Sequence, residues 1–578
     1  MKGLKSHIFF ILLIIALPLI AYYGSFNNSF IWDDRAFVTE NEAVKRLNPA
    51  SVVSNFIDRE TVASDTSLSK DVWRPLVTTS FGLDHKLWGF DARPYHVENT
   101  LFHILNALLV YAAVMAVGAS STAAFAAALI FALNPVQTEA VTLVSGRANV
   151  LFLFFFLLAF LSYAGSDKRS LGRPLLYGLS VLLFFLGLLS KEMAITLPLV
   201  LIAYDHFFRA KEERPSLLSY MPFFLVALAY LVARFSVLGT LAQRQGWWGG
   251  DMQSYLFTTL RVVFGYVRLL FLPVNLKADY MIDISRSFLE MEVVSAAVGL
   301  AFIAALYMLT RRRRQVSFYI WWFFITLLPV YNLVPFKAVM AERFLYLPSI
   351  AFAALFGMFV ADLLERFRAS RPVTATVRIL FAAVLVLYVA GTISRNAELR
   401  NEIVFYSHEL TCSPDNPRFH LNLGLAYVGE AKKYSGVKKA RDLYYTLAAR
   451  EFEKAVALDP SFQKASINAA NAYIDLGLYD LAVRHLKKAL AVEEDSRAYY
   501  NLAVASYHSG QNDKAIRYAK RALFLMPGYK EAYIALGNAY YMKGDYKRAK
   551  AAWLQAVKRG GATAEVVNII GELEKAGY

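Results

Sequence analysis

Residues 148–164 read ANVLFLFFFLLAFLSYA, with no charged side chain among them. A helix rises about 1.5 Å per residue, so a run of this length comes close to crossing a bilayer hydrocarbon core of about 30 Å. Working outward, comparable apolar runs recur at about 7–23, 97–117, 119–134, 174–190, 193–208, 217–238, 290–310, 316–334, 344–364 and 375–393. With the quoted stretch they make eleven predicted spans, of which 119–134 and 193–208 are the shortest. The whole chain of 578 residues agrees, with 57% hydrophobic and 18% charged residues and a mean hydropathy of +0.39. A soluble domain carries about 25% charge, and a disordered one far less apolar surface, so both classes are excluded.

The charge is +16, from 61 Lys+Arg against 45 Asp+Glu, but it does not point to nucleic acid. It collects in short clusters between apolar runs: Lys168, Arg169 and Arg173; Arg209, Lys211 and Arg214; Arg311 to Arg314; Arg366, Arg368 and Arg371. All four fall in the cytoplasm if residue 1 starts there, as the positive-inside rule requires. The apolar stretch 256–272 would break this alternation, and it carries Arg261 and Arg268 on one helical face. It is therefore read as an interfacial or re-entrant helix on the outer side. The first run follows Lys2 and Lys5 without a small-x-small cleavage site, so it reads as a retained anchor. Eleven crossings leave the C-terminus outside.

Beyond residue 395 the pattern becomes soluble and repetitive. Ala448, Ala482, Ala515 and Ala549 recur at intervals of 34, 33 and 34, and Ala455, Ala489, Ala522 and Ala556 follow seven residues later. Pro460 and Pro527 close two units, and Gly424 and Gly537 stand where helices approach closely. This is the tetratricopeptide (TPR) period. Four repeats, the first enlarged near 432–444, predict a short solenoid that binds a protein or peptide in its groove. The expected organisation is a membrane domain at 1–395 with a long extracytoplasmic loop at 24–95, a linker at 396–414 and the repeats at 415–578. Cys412 is the only cysteine, which excludes an internal disulfide and cysteine-based metal clusters.

Polar residues gather at one side of the predicted bundle. Asp33 and Asp34 follow the first span; they read equally as a functional acid pair or as a solvated loop start or helix cap. His96 and His103, like Asn99 and Asn106, lie seven apart on one helical stripe, which suits either a cavity wall or interhelical hydrogen bonding. Glu139 and Ser145-Gly146-Arg147 join two spans, as do Ser190-Lys191-Glu192; Asp279, Tyr280 and Asp283 follow the interfacial helix; Lys337, Glu342, Arg343 and Tyr346 precede the tenth span. All face the compartment of Asp33 and Asp34, so they describe an outward cavity lined with acids, bases and amides. No metal site is predicted, since the His/Asn spacing is a weak signature, and dependence on a divalent ion is left open. Walker and GxGxxG glycine motifs are absent, which removes cytosolic nucleotide chemistry.

Trp32-Asp33-Asp34, Trp73-Arg74-Pro75-Leu76, the His/Asn stripe, Asn134 to Val141 with Ser145-Gly146-Arg147, Leu189 to Met193, Pro273 to Tyr280 and Ala341 to Ser349 together resemble the TMTC (transmembrane and tetratricopeptide repeat-containing) family. The same domain order completes the likeness over nearly the whole chain. The resemblance implies a C-type glycosyltransferase that transfers mannose from a polyprenyl-phosphate donor to Ser/Thr of an extracytoplasmic protein. It implies no cofactor beyond the lipid-linked sugar. A hydroxyl nucleophile needs a carboxylate base, and a leaving lipid phosphate needs cations. The expected base is Asp34, with Asp33 orienting it or binding the acceptor, and direct displacement inverts the sugar. Arg343, Arg147, Lys191 and Arg74 are the expected phosphate ligands. His96, Asn99, His103, Glu139, Glu192, Asp279, Glu342 and Tyr346 are expected to line the cavity. A lipid-sugar transporter or flippase and a non-enzymatic TPR scaffold are the alternatives. Compact loops suggest a bacterial inner membrane with periplasmic repeats; an endoplasmic reticulum membrane with lumenal repeats would share the topology.

Overall fold

The computed structural model describes residues 2–57, 72–166, 172–239, 247–331, 338–561 and 563–578, and among these every regular element is helical. Lys168, Arg169 and Lys337 lie outside the described residues. The chain divides into two compact units, Met1–Asn401 and Glu402–Tyr578.

Among the described residues of the first unit, seven helices are long and apolar enough to cross a membrane, or eight if one bent pair counts as a span. They include Ala92–Ala116, Met291–Thr310 and Arg371–Glu398. The bent pair, Ser121–Leu133 and Pro135–Thr142, turns by 53°. The cause is local: Pro135 lacks an N–H, and the Asn134 side chain instead accepts from the Val136 N–H at 3.1 Å. Other predicted spans are built from shorter pieces. Leu197–Phe208 has 12 residues and follows the five-residue 3-10 helix Glu192–Thr196. At about 1.5 and 2.0 Å per residue these reach roughly 28 Å together, close to the hydrocarbon thickness. Gly357 allows Ser349–Arg366 to lie against Ser121–Leu133, because a Cβ there would sit 2.3 Å from the Ala123 carbonyl oxygen.

Three segments gain structural detail. Met252–Phe271 is a 20-residue helix that also meets the length and apolarity of a span. Its Arg261 donates to the Asp283 carbonyl and the Ser285 hydroxyl at 3.0 and 2.6 Å, so protein partners rather than solvent satisfy that charge. Within 24–95 the described residues hold the helices Glu42–Lys45, Pro49–Ile57 and Pro75–Trp88. Val38, Val44, Val77, Phe81 and Tyr95 form one apolar cluster with Val144, Ala148 and Leu151. The linker 396–414 is also structured. Arg371–Glu398 runs through its start, and Glu402–Cys412 forms a helix that buries Phe405, Tyr406 and Glu409.

The second unit contains four helix pairs: Pro417–Lys433 with Lys438–Leu458, Gln463–Asp475 with Tyr479–Val492, Ser496–His508 with Asn512–Leu525, and Lys530–Met542 with Tyr546–Lys558. Ala564–Lys575 follows them. All eight periodic alanines are at most 1% exposed. Each of the last three pairs turns through a glycine of positive φ, Gly477, Gly510 and Gly544 at 76°, 72° and 76°, a left-handed conformation that side chains resist. The enlargement of the first repeat lengthens its second helix, to 21 residues against 14, 14 and 13.

Candidate active site

The charged residues meet around the turn that follows the first helix. Trp32 has a left-handed backbone, φ 50°, and the two acids after it part company. Asp34 is fully buried. Its Oδ1 accepts from the Ser145 N–H at 2.7 Å and its Oδ2 from the Ile31 N–H at 3.2 Å. Burial pushes its carboxyl up to about 6 in spite of those bonds. Asp33 is half-buried and makes no side-chain hydrogen bond among the described residues. Burial and then Glu139 act to raise its carboxyl above the ordinary value, against Arg343 and Arg74.

Arg343 is held from two sides by Glu139. The carboxylate accepts the Arg343 backbone N–H at 2.7 Å and also pairs with the guanidinium. The guanidinium lies 5.7 Å from the Trp32 ring and 5.4 Å from the Phe344 ring, and about a quarter of the side chain is exposed. Arg74 forms a two-pronged pair with Glu192, at 3.3 and 2.8 Å. Lys191 is 2% exposed, bonds to the Asn149 side chain, and lies between the Phe152 and Phe344 rings at 5.6 Å from each. Burial, with Arg74 and Arg343 nearby, lowers its ammonium to about 7. Glu342 is fully buried; its Oε1 accepts from the Lys277 N–H at 2.5 Å and the Tyr280 hydroxyl at 2.7 Å. It thereby fastens the extended segment that carries half-buried Asp279.

Several expected site residues serve the scaffold instead. Arg147 is 1% exposed and saturated: it pairs with Asp84 and Glu98, both at 3.0 Å, and donates to Asn99 at 2.5 Å and the Tyr95 carbonyl at 3.3 Å. Four of its five N–H donors face these partners, and burial keeps it from the surface. Asn99 in turn donates to the Val141 and Leu143 carbonyls. His96 contacts the Asn28 carbonyl at 3.1 Å. His103 bridges the Tyr346 hydroxyl and the Ala132 carbonyl at 2.8 and 2.9 Å, and Asn106 reaches Val150 and Tyr346. His96, Asn99, His103 and Tyr346 thus form a buried, hydrogen-bonded seam. Asp34, the expected base, is fixed through both its oxygens to backbone N–H groups, whereas Asp33 is not. Ser145-Gly146-Arg147 is explained by the same seam: Ser145 caps Asp34, and Gly146 passes so close to Ala140 that a Cβ would lie 2.3 Å from its carbonyl oxygen.

Arg234, 3.9 Å from Glu192, was not among the expected residues. Its signal was present, as an arginine within the apolar run 217–238. Next to these charges in the chain, Ile195, Thr196, Pro198 and Leu199 form one wall of an apolar groove of about 500 Å3, closed by Phe224, Ala227, Leu228, Leu231, Leu328 and Pro329.

The fold and site define a multi-pass helical membrane protein that carries an acid, several cations and an apolar groove, with a TPR array. Tetratricopeptide-repeat family models match residues 467–530 and 506–571. Over most of its length the chain is similar to the protein O-mannosyl-transferase TMTC3 of Mus musculus, 24% identical over 603 residues that cover 94% of this chain and 63% of that protein. It is likewise similar to the protein O-mannosyl-transferase F38B6.6 of Caenorhabditis elegans, 27% identical over 80% of this chain and 64% of that protein. A shorter match to Tmtc2 of Drosophila melanogaster reaches 34% identity over 33% of this chain and 21% of that protein. The chain thus spans just under two thirds of the length of the relatives matched over most of it.

Proposed function

We propose that this protein is an extracytoplasmic glycosyltransferase that moves mannose from a polyprenyl-phosphate to a Ser or Thr hydroxyl of a protein. The observation that carries the reading is Asp33, an acid without a hydrogen-bond partner among the described residues, set beside Arg343 and Arg74. A carboxyl of raised pKa is, once ionised, a better base than an ordinary aspartate. Asp33 takes the hydroxyl proton as the oxygen attacks the anomeric carbon, and the bond to the phosphate oxygen breaks with its electron pair. A one-step displacement inverts that carbon. Arg343, Lys191 and Arg74 supply positive charge where the lipid phosphate leaves. The groove from Ile195 to Pro329 suits the apolar chain of the donor. The TPR array holds the acceptor polypeptide, and both lie on the non-cytoplasmic side of a bacterial inner membrane or of the endoplasmic reticulum.

The test is sugar transfer from polyprenyl-phosphate mannose in proteoliposomes, beside donor binding and thermal unfolding. Asp33→Asn should lower turnover by about 10²–10⁴-fold with donor binding and melting unchanged. Asp34→Asn should lower the melting temperature, because an amide nitrogen would face the Ile31 or Ser145 N–H. Near-normal transfer by Asp33→Asn removes it as the base, and no transfer by the native protein favours the scaffold.

A further inference from the structure

Three second helices of the array carry corresponding five-residue stretches with a cation at each end, the first of them also holding two glutamates. Arg450-Glu451-Phe452-Glu453-Lys454, Arg484-His485-Leu486-Lys487-Lys488 and Arg517-Tyr518-Ala519-Lys520-Arg521 stand at one repeat position, 34 and 33 residues apart. The middle residues, Phe452, Leu486 and Ala519, are fully buried, which turns the flanking cations outward: Arg450, Arg484, Lys487, Lys488, Arg517 and Lys520 are all exposed. Several nearby carboxylates have partners of their own, while Glu453 and Glu493 are exposed. Glu451 holds Lys454 at 2.7 Å, Glu453 accepts from the Tyr473 hydroxyl at 2.7 Å, Glu494 holds Arg521 at 2.5 Å, and Asp513 holds Lys543 at 2.5 Å. Asp480 is exposed beside the six cations, none of which has an ion-pair partner among the described residues. At the end of the third such helix Phe524 is 73% exposed, with the Arg521 guanidinium 5.0 Å from its ring.

We propose that this face of the array docks onto an anionic lipid surface. The cations are displayed on separate second helices, each packed against first helices on either side, rather than converging on one pocket. That arrangement suits the spread charge of lipid headgroups better than an acidic peptide. Phe524 offers an apolar body to the headgroup boundary, the pairing found on helices that lie in a membrane interface. The same chain carries candidate membrane spans, so a lipid surface is held at high effective concentration. This inference is independent of the transfer chemistry.

The experiment uses the full chain with Cys412→Ser, which removes its only cysteine, and Gly528→Cys, at an exposed position with nothing within 4 Å of its added Cβ. A polarity-sensitive fluorophore at residue 528 is read in nanodiscs of phosphatidylcholine alone and with a third phosphatidylglycerol. The expected result is a blue shift in the anionic discs only, reversed by high salt. A cation near an anionic surface is worth about fivefold in partition. Arg450→Glu, Arg484→Glu and Arg517→Glu together should therefore lower the docked-to-undocked ratio by at least about a hundredfold. All three are exposed, so the variant should melt like the parent. Equal emission in both kinds of disc would overturn the proposal. So would a shift that appears in phosphatidylcholine discs only when poly-glutamate is added, which would make the face a docking surface for acidic polypeptide.

Discussion

Trp32 separates two adjacent carboxylates into different chemistries. Its left-handed φ of 50° is a conformation that bulky residues adopt at a cost of about 1–2 kcal/mol. Asp34 ends beneath the Ser145 N–H, while Asp33 stays without such a bond. The buried acid has a consequence for stability. Because the folded state raises the Asp34 carboxyl from its ordinary value to about 6, it binds a proton more tightly than the unfolded chain does. Its stabilisation is fully present below about pH 4 and is lost as pH rises to about 6. The amount is of order 3 kcal/mol, from about two pKa units. Unfolding followed in detergent should show this slope between pH 4 and 6, and Asp34→Asn should flatten it. An undiminished slope in the variant would place the titrating group elsewhere. The acid pair itself was legible in the sequence, but its division of labour was not. That division depends on a backbone N–H supplied 111 residues away.

Helices were legible wherever their own period carried the information. The apolar runs and the spacing of alanines predicted most of the helices that form, since each depends on residues a few positions apart. The His/Asn stripe was visible too, yet its meaning was not, because Val141, Leu143 and Tyr346 reach it from distant parts of the chain. The helices within 24–95 were not legible for a related reason: Val38, Val44, Val77 and Phe81 are scattered along the chain and join a cluster with Val144, Ala148 and Leu151. Within the array, close packing makes a sharper prediction. A Cβ on Gly537 would lie 2.3 Å from the Trp553 indole nitrogen, whereas one on Gly528 meets nothing within 4 Å. Gly537→Ala should destabilise the repeats by about 1–3 kcal/mol through overpacking, while Gly528→Ala should be near neutral. Denaturant titration of the full chain, read at the tryptophans, distinguishes them; equal effects would contradict the packing.

At the scale of the molecule, the division at Asn401/Glu402 fixes where the chain can be cut. A protein ending at Asn401 should keep the melting behaviour of the membrane unit and its donor binding, with transfer to protein acceptors reduced. Cutting instead after residue 414 leaves Glu402–Cys412 without the unit that buries Phe405 and Tyr406, so that product should aggregate more. Loss of donor binding in the Asn401 version would show that the repeats help to build the site. The buried Arg147 cluster bears on how such a protein is made. A lone arginine or carboxylate is costly in lipid, but Asp84, Glu98, Asn99 and Arg147 all lie in the first 147 residues. By the time Arg147–Gly165 has left the ribosome, every partner of its charge has already been synthesised. The growing chain can therefore neutralise that arginine before any later span enters the bilayer, so the order of synthesis matches the order in which the charges need one another.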